Sequence, residues 1–245
     1  MRIIVLLFSL LAAFGCKKEE DRNCAKSIGV QSSKEILLED FSLLFMGPHL
    51  KYKLIQGTTN KVVINGGENL LNGIDVNVEN QKLTILNTNK CAFLRSYDEI
   101  VEVEIHFVDI TNIEFEGTNE VMCADTLELT ELTLLIRDGA GAFDLKLNAN
   151  SLSLIITHGW GNYTVSGNVN YANFQISSNG FGNSNNLKVN NELIVISKTA
   201  GIVEVNADQC ALFAQIGSSG SIYYKGAPNS IEFNNYGTGV LVDKN

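Results

Sequence analysis

The sequence predicts an all-β fold, a parallel β-solenoid (β-helix-like) with coils of about 20 residues. Three observations carry that expectation. Strand-type alternation of apolar and polar residues dominates from Ile28 to Val242, the period-two signature of half-buried strands. Glycine triplets recur as Gly139-Ala140-Gly141, Gly159-Trp160-Gly161, Gly180-Phe181-Gly182 and Gly237-Thr238-Gly239, with Thr199-Ala200-Gly201 and Ser218-Ser219-Gly220 between the last two. Counted from the first Gly of each triplet and from Gly201 and Gly220, the steps are 20, 21, 21, 19 and 17 residues. The chain also holds 28 Asn but only two prolines, Pro48 and Pro228. Asn tolerates tight corners and can ladder between coils, whereas Pro removes ladder donors.

Composition narrows the function classes. The 245 residues carry 18 Lys and Arg against 27 Asp and Glu, a net charge of −9, with 45 % hydrophobic residues. That apolar content excludes a disordered chain. An acidic chain without a basic cluster cannot release phosphate counterions, so no nucleic-acid partner is expected.

At the N-terminus, Arg2 precedes an apolar run from Ile3 to Phe14, broken only by Ser9. The run is shorter than the roughly 18 to 20 residues that span a bilayer, so residues 1–15 read as a signal peptide. Leu11-Ala12-Ala13-Phe14-Gly15-Cys16 resembles the lipobox of bacterial lipoproteins, which makes Cys16 the lipidation site and the first mature residue. A plain secretory signal with a free Cys16 is the other reading. Lys17-Lys18-Glu19-Glu20-Asp21 reads as a solvated tether. It also resembles the export signal that sends some Gram-negative lipoproteins to the cell surface. The expected layout is a signal peptide over 1–15, lipidated Cys and tether over 16–35, and one solenoid domain over 36–245.

Besides Cys16, the chain holds Cys24, Cys91, Cys123 and Cys210. Four cysteines allow three full pairings, which sequence cannot separate. An envelope compartment permits disulfides. A Cys24–Cys91 bridge, which would pin the entry segment, is the first expectation, and buried free thiols are the other.

Period-two strands are plainest in Ile74-Asp75-Val76-Asn77-Val78, Val101-Glu102-Val103-Glu104-Ile105 and Leu145-Lys146-Leu147-Asn148-Ala149. Leu43-Leu44-Phe45-Met46 reads as a buried strand end before Gly47-Pro48. A unit near 20 residues cannot bury its apolar face alone. Stacked as coils, each strand gains neighbours at about 4.8 Å. Glu116-Gly117-Thr118 and Asn65-Gly66-Gly67 look like weaker versions of the same turn. An antiparallel sandwich would instead place Gly-rich hairpins about every 8 to 12 residues. Triplets at one-coil spacing favour the solenoid.

Residues for chemistry are sparse. No CxxC, CxxH or HxxH spacing supports zinc, and neither a metal nor a cofactor is expected. Of His49, His106 and His158, the last precedes Gly159 and reads as a corner residue rather than a base. No Gly-x-Ser-x-Gly elbow, P-loop or Rossmann fingerprint is present. Carboxylate chemistry in a solenoid groove needs acids that stack about 20 apart. Asp138 and Asp144 flank one turn, but the equivalent stretches near 158–165 and 179–186 hold no acid. Asp125-Thr126-Leu127 resembles an O-glycan acceptor of some bacterial envelopes and equally an ordinary polar turn.

Trp160 and Phe181, the middle residues of two triplets, are 21 apart and expected on one corner in adjacent coils. Stacked internally, they would contribute about 0.5 to 1.5 kcal/mol of aromatic pairing. Left partly exposed, they form a ledge for a sugar ring or another protein.

Four segments resemble the head GIN domain family of auto-transporter adhesins. They are Gly67-Glu68-Asn69-Leu70-Leu71, Lys82-Leu83-Thr84-Ile85, Cys91-Ala92-Phe93-Leu94-Arg95-Ser96-Tyr97 and, most specific, Gly220-Ser221-Ile222-Tyr223-Tyr224-Lys225-Gly226-Ala227-Pro228. The similarity spans about residues 36 to 243. The family's usual Gly-Ser-Gly turn is altered here, with Ser219-Gly220-Ser221 nearest to it. The resemblance implies a right-handed parallel β-solenoid and a surface or envelope role.

The expected function is that of a non-catalytic lipoprotein of the outer membrane, facing the exterior, acting as an adhesin-like binding or scaffolding module. Its partners would be the membrane through the lipid anchor and a surface glycan or envelope protein. Homo-oligomers stay open, because solenoid ends must be capped or paired. Two other classes remain: a carbohydrate-processing β-helix enzyme, favoured if acids cluster in a groove, and a periplasm-facing structural lipoprotein.

Overall fold

The computed structural model describes residues 27–90 and 100–245. Cys16, Cys24, Cys91 and the segment to Tyr97 lie outside the described residues, as do the signal peptide and the charged run after Cys16. The described chain is nearly all-β, with one four-residue helix, and its main body is a parallel β-solenoid, as its glycine spacing predicts.

The elements in order are β1 (Gln31–Leu37), β2 (Leu43–Met46), β3 (Lys51–Gln56), β4 (Lys61–Gly67), helix α1 (Glu68–Leu71), β5 (Ile74–Glu79), β6 (Lys82–Asn87), β7 (Glu102–Phe107), β8 (Asn112–Phe115), β9 (Glu120–Cys123) and β10 (Leu127–Glu128). There follow β11 (Glu131–Ile136), the long β12 (Ala142–Ile156), β13 (Asn162–Ser178) and β14 (Phe181–Thr199), then β15 (Val203–Asn206), β16 (Ala211–Ile216), β17 (Ile222–Lys225), β18 (Ser230–Asn235) and β19 (Leu241–Asp243).

The solenoid has two main faces. The first stacks β6, β2, β8, β11, the second halves of β12, β13 and β14, then β16 and β18, all parallel. The second stacks β7, β3, β9, the first halves of β12, β13 and β14, then β15, β17 and β19. A short third side joins β10 to the middle of β12.

Alternation makes the core. One inward column on the first face runs Leu83, Leu44, Ile113, Leu134, Leu154, Phe174, Val195 and Ala214, all fully buried. On the second face, Tyr52, Val121, Phe143 and Tyr163 stack in the same way. The next position is Gly182, where a Cβ would collide with the Tyr163 ring. Glycine there leaves the ring its space. Each fully buried side chain contributes about 1.5 to 3 kcal/mol relative to exposure.

The N-terminal end departs from the uniform parallel expectation. Strands β1 and β4, β4 and β7, and β5 and β6 pair antiparallel. The β5–β6 hairpin turns at Asn80-Gln81, both with positive φ (51° and 61°), which suits the twist of a two-residue loop. Helix α1 buries Leu70 and Leu71, and Ile74 follows them into the core. These elements form a cap. Asn65-Gly66-Gly67 lies in β4, inside this cap, and is not a corner. Strand β1 begins at Gln31, inside the segment expected as tether, 16–35.

Candidate functional site

The corner joining the first face to the second is where the glycines fall. At Gly159, φ is +90° and a Cβ would overlap the Gly139 carbonyl of the coil below, so only glycine fits. The bridge Gly139–Gly159 confirms that coil's register, and the Trp160 N–H donates to the Gly139 carbonyl at 3.0 Å.

One coil on, the register slips. Asn162, not Trp160, is the partner of Phe181. The cause is corner length. Five residues separate Ile156 from Asn162, but only four separate Ile176 from Phe181, although each partner pair is aligned. Two bulges in β14, between Thr164 and Ser166 and between Val169 and Tyr171 of its neighbour, restore the lost residue and add one more. The Phe181 N–H therefore donates to the Gly161 carbonyl. Trp160 and Phe181 occupy one corner but are not vertical equivalents, which corrects the expected stacking. The described aromatic pairs, Tyr52–Phe115, Phe115–Phe143 and Tyr163–Phe174, are all in the core. At the last corner the register also aligns Gly220 with Gly239 rather than Gly237, a step of 19 residues instead of 17.

Both aromatics face solvent. Trp160 is 65 % and Phe181 42 % exposed, and Ile202, which the register sets beside Phe181, is 43 % exposed. Phe181 and Ile202 line an open cleft of about 510 Å³ with Asn162, Thr164, Asn183 and Glu204. Asn183 and Asn185 each donate a side-chain N–H to Glu204 Oε2, at 2.9 and 2.7 Å. The Thr199 hydroxyl, buried behind the ledge, donates to the Gly180 carbonyl at 2.6 Å and accepts from the Gly201 N–H at 2.9 Å. The cleft thus couples an apolar lip to a carboxylate already oriented by two amides. Ile202 was missed in the sequence because it follows a triplet instead of sitting inside one.

Asp144 and Glu204 do not form a pair in this face, whereas Glu120 lies outward on the rung next to Asp144, two residues off its register. The outward column runs Asp144, Thr164, Asn183, Glu204. Three rungs at about 4.8 Å separate the two carboxylates by roughly 14 Å, beyond the ~5 to 9.5 Å of glycosidase pairs. A charged cluster does exist one corner edge away. Arg137 contacts Glu114 at 2.7 Å and donates its Nε–H to Glu116 at 2.9 Å, while Lys82 also reaches Glu114 at 3.2 Å. The Glu116 hydrogen bond raises the Arg137 pKa. Both carboxylates are neutralised by partners. The Glu116-to-Arg137 offset of 21 residues was the sequence signal for this cluster.

His158 is exposed at the corner, 3.8 Å from the equally exposed Asp138. His106 lies in β7, 3.8 Å from Glu104. Cys123 and Cys210 are free thiols; Cys210 is buried, as in the second expectation, while Cys123 is half-buried and its Sγ accepts from the Lys146 N–H at 3.2 Å. Burial pushes the Cys210 thiol up to about 11. No group of three or more His, Cys, Asp or Glu is poised for a metal among the described residues.

Fold and corner together define a β-solenoid whose distinctive outward chemistry is an apolar ledge on one edge. The chain belongs to the head GIN domain family. The family model described as "Putative auto-transporter adhesin, head GIN domain" matches residues 40–228. A "putative adhesin" of Bacteroides fragilis shares the fold with a TM-score of 0.76 at 22 % identity, over 87 % of this chain and 97 % of that one. A Parabacteroides distasonis protein called a "putative lipid binding protein" aligns with a TM-score of 0.66 at 18 % identity, over 89 % and 98 %. A "putative adhesin" of Parabacteroides merdae gives 0.61 at 18 % identity, over 89 % and 98 %. No curated protein sequence matches the chain.

Proposed function

We propose that this chain is a non-catalytic cell-envelope lipoprotein, anchored in the outer membrane through Cys16 and displayed to the exterior, that acts as an adhesin-like binding module. The ligand-contacting surface is the corner ledge of Trp160 and Phe181, extended by Ile202. The observation that carries this reading is the exposure of three large apolar side chains at one edge of the solenoid, on coils whose inward columns are already filled. Such side chains have no packing role left, and exposed aromatics anchor interfaces. The adhesin name of the family supports the same class. The cleft beside Phe181, with its amide-held Glu204, suits a sugar ring or a peptide equally.

The test compares cells carrying the wild-type chain with cells carrying Trp160→Ala plus Phe181→Ala. The double variant should fold and reach the surface normally, as read by its melting curve and by protease shaving of intact cells, but lose attachment to a glycan or envelope-protein array. Attachment equal to wild type removes the ledge as the contact surface. Protection of the wild-type chain from shaving removes surface display.

A further inference from the structure

The two ends of the solenoid are finished differently. At the N-terminal end, α1 and the antiparallel strands β1, β4 and β5 cover the first coil, and the outer strand β1 presents Gln31, Ser32, Ser33, Lys34 and Glu35 before the exposed Leu37. Polar and charged edges of this kind discourage further pairing. The last rung has no such cover among the described residues. Strand β18 pairs only with β16, and β19 only with β17.

The inward columns reveal the consequence. Leu132, Leu152, Ala172, Leu193 and Leu212 occupy one column and are all buried, but the next member, Ile231, is 45 % exposed. The column ending Phe174, Val195, Ala214 is buried until Phe233, which is 39 % exposed. Tyr236 and Val240, at the corner of the same rung, are also exposed. Core-facing residues are therefore left open beside two unpaired strand edges.

We infer that this last rung is a docking surface for a second copy of the chain, placed end to end by a two-fold axis with β18 antiparallel to β18. The charge on the rung favours a copy. The whole chain carries −9, but residues 230–245 hold only two acids, Glu232 and Asp243, and one lysine, Lys244. Two such ends meet with little repulsion. Pairing about Phe233 sets Glu232 of one copy opposite Asn234 of the other and avoids the like-charge pair that an axis through Glu232 would create. An isologous contact uses the last rung of both copies and so closes at two. The inference is independent of the corner ledge.

Sedimentation of the full chain from about 1 to 100 µM tests it. Wild type should pass from monomer to dimer. The Ile231→Lys, Phe233→Lys variant should dimerise at least about tenfold more weakly with an unchanged circular dichroism spectrum. Val30→Lys, Leu37→Lys, at the opposite end, should dimerise like wild type. Should the first variant unfold, hydrogen exchange on wild type replaces it, and the β18 amides should exchange more slowly at the higher concentration. A wild-type monomer throughout, growth past the dimer, a dimer kept by the folded Ile231→Lys, Phe233→Lys chain, or β18 exchange independent of concentration would each overturn the inference.

Discussion

Gly220→Ala isolates the stacking of corners. Gly220 is buried, and its N–H donates to the Thr199 carbonyl at 2.9 Å. A Cβ on it would overlap the Gly201 carbonyl and lie 2.6 Å from the Thr199 carbonyl oxygen and 2.9 Å from Ala200 C. All three are backbone atoms of the coil beneath, so no rotamer change relieves the clash. Overpacking of this kind costs about 1 to 3 kcal/mol. Parting the coils also weakens the Gly220 hydrogen bond, which contributes about 1 kcal/mol. The sum is about 2 to 4 kcal/mol, or roughly 5 to 15 °C in Tm for a chain of this size. Gly57→Ala makes the same chemical change where no atom lies within 4 Å. It should be neutral, or up to about 1 kcal/mol stabilising through the unfolded state. Thermal melts of both, followed by circular dichroism in one buffer, supply the comparison. Equal Tm values for the two variants would refute the register that sets Gly220 on Gly201.

Phe174→Ala should destabilise by about 3 to 5 kcal/mol, because Phe174 is fully buried and packs on Tyr163 at 5.7 Å between ring centres; Gln175→Ala, outward on the same strand, should stay within about 0.5 kcal/mol in urea titrations. Stability should fall as pH rises from about 9 through 11. The Cys210 thiol ionises near its usual value in the unfolded chain but only at about 11 when folded. The unfolded state then holds fewer protons in that window, and burial raises Tyr52 and Tyr163 in the same direction. Cys210→Ala should flatten the slope measured by urea midpoints across that range, and an unchanged slope would exclude the thiol as a contributor.

Much of the fold was legible because period-two alternation maps directly onto inward columns. β12 shows this in Phe143, Leu145 and Leu147 and again in Leu152, Leu154 and Ile156, with the phase changing at 148–151 between them. The cap was not legible, since Ile74-Asp75-Val76-Asn77-Val78 alternates identically whether its strand pairs parallel or antiparallel. Only the Asn80-Gln81 turn distinguishes the two, and neither residue is the glycine that usually marks such a hairpin. Trp160 and Phe181 stand out in the sequence as corner aromatics, but neither their exposure nor their alignment is readable there. Two Gly-x-Gly triplets look equivalent in sequence, and the missing residue between Ile176 and Phe181 becomes visible only against the β12 and β13 registers. Ile202 carries no local motif and is exposed only because the corner turns it outward.

The most direct test of the whole account is attachment itself, measured on cells that display equal amounts of wild-type chain or of Trp160→Ala, Phe181→Ala chain. Loss of attachment with unchanged display and melting temperature is the predicted result. Full attachment by the double variant would contradict the claim that this solenoid works through its corner.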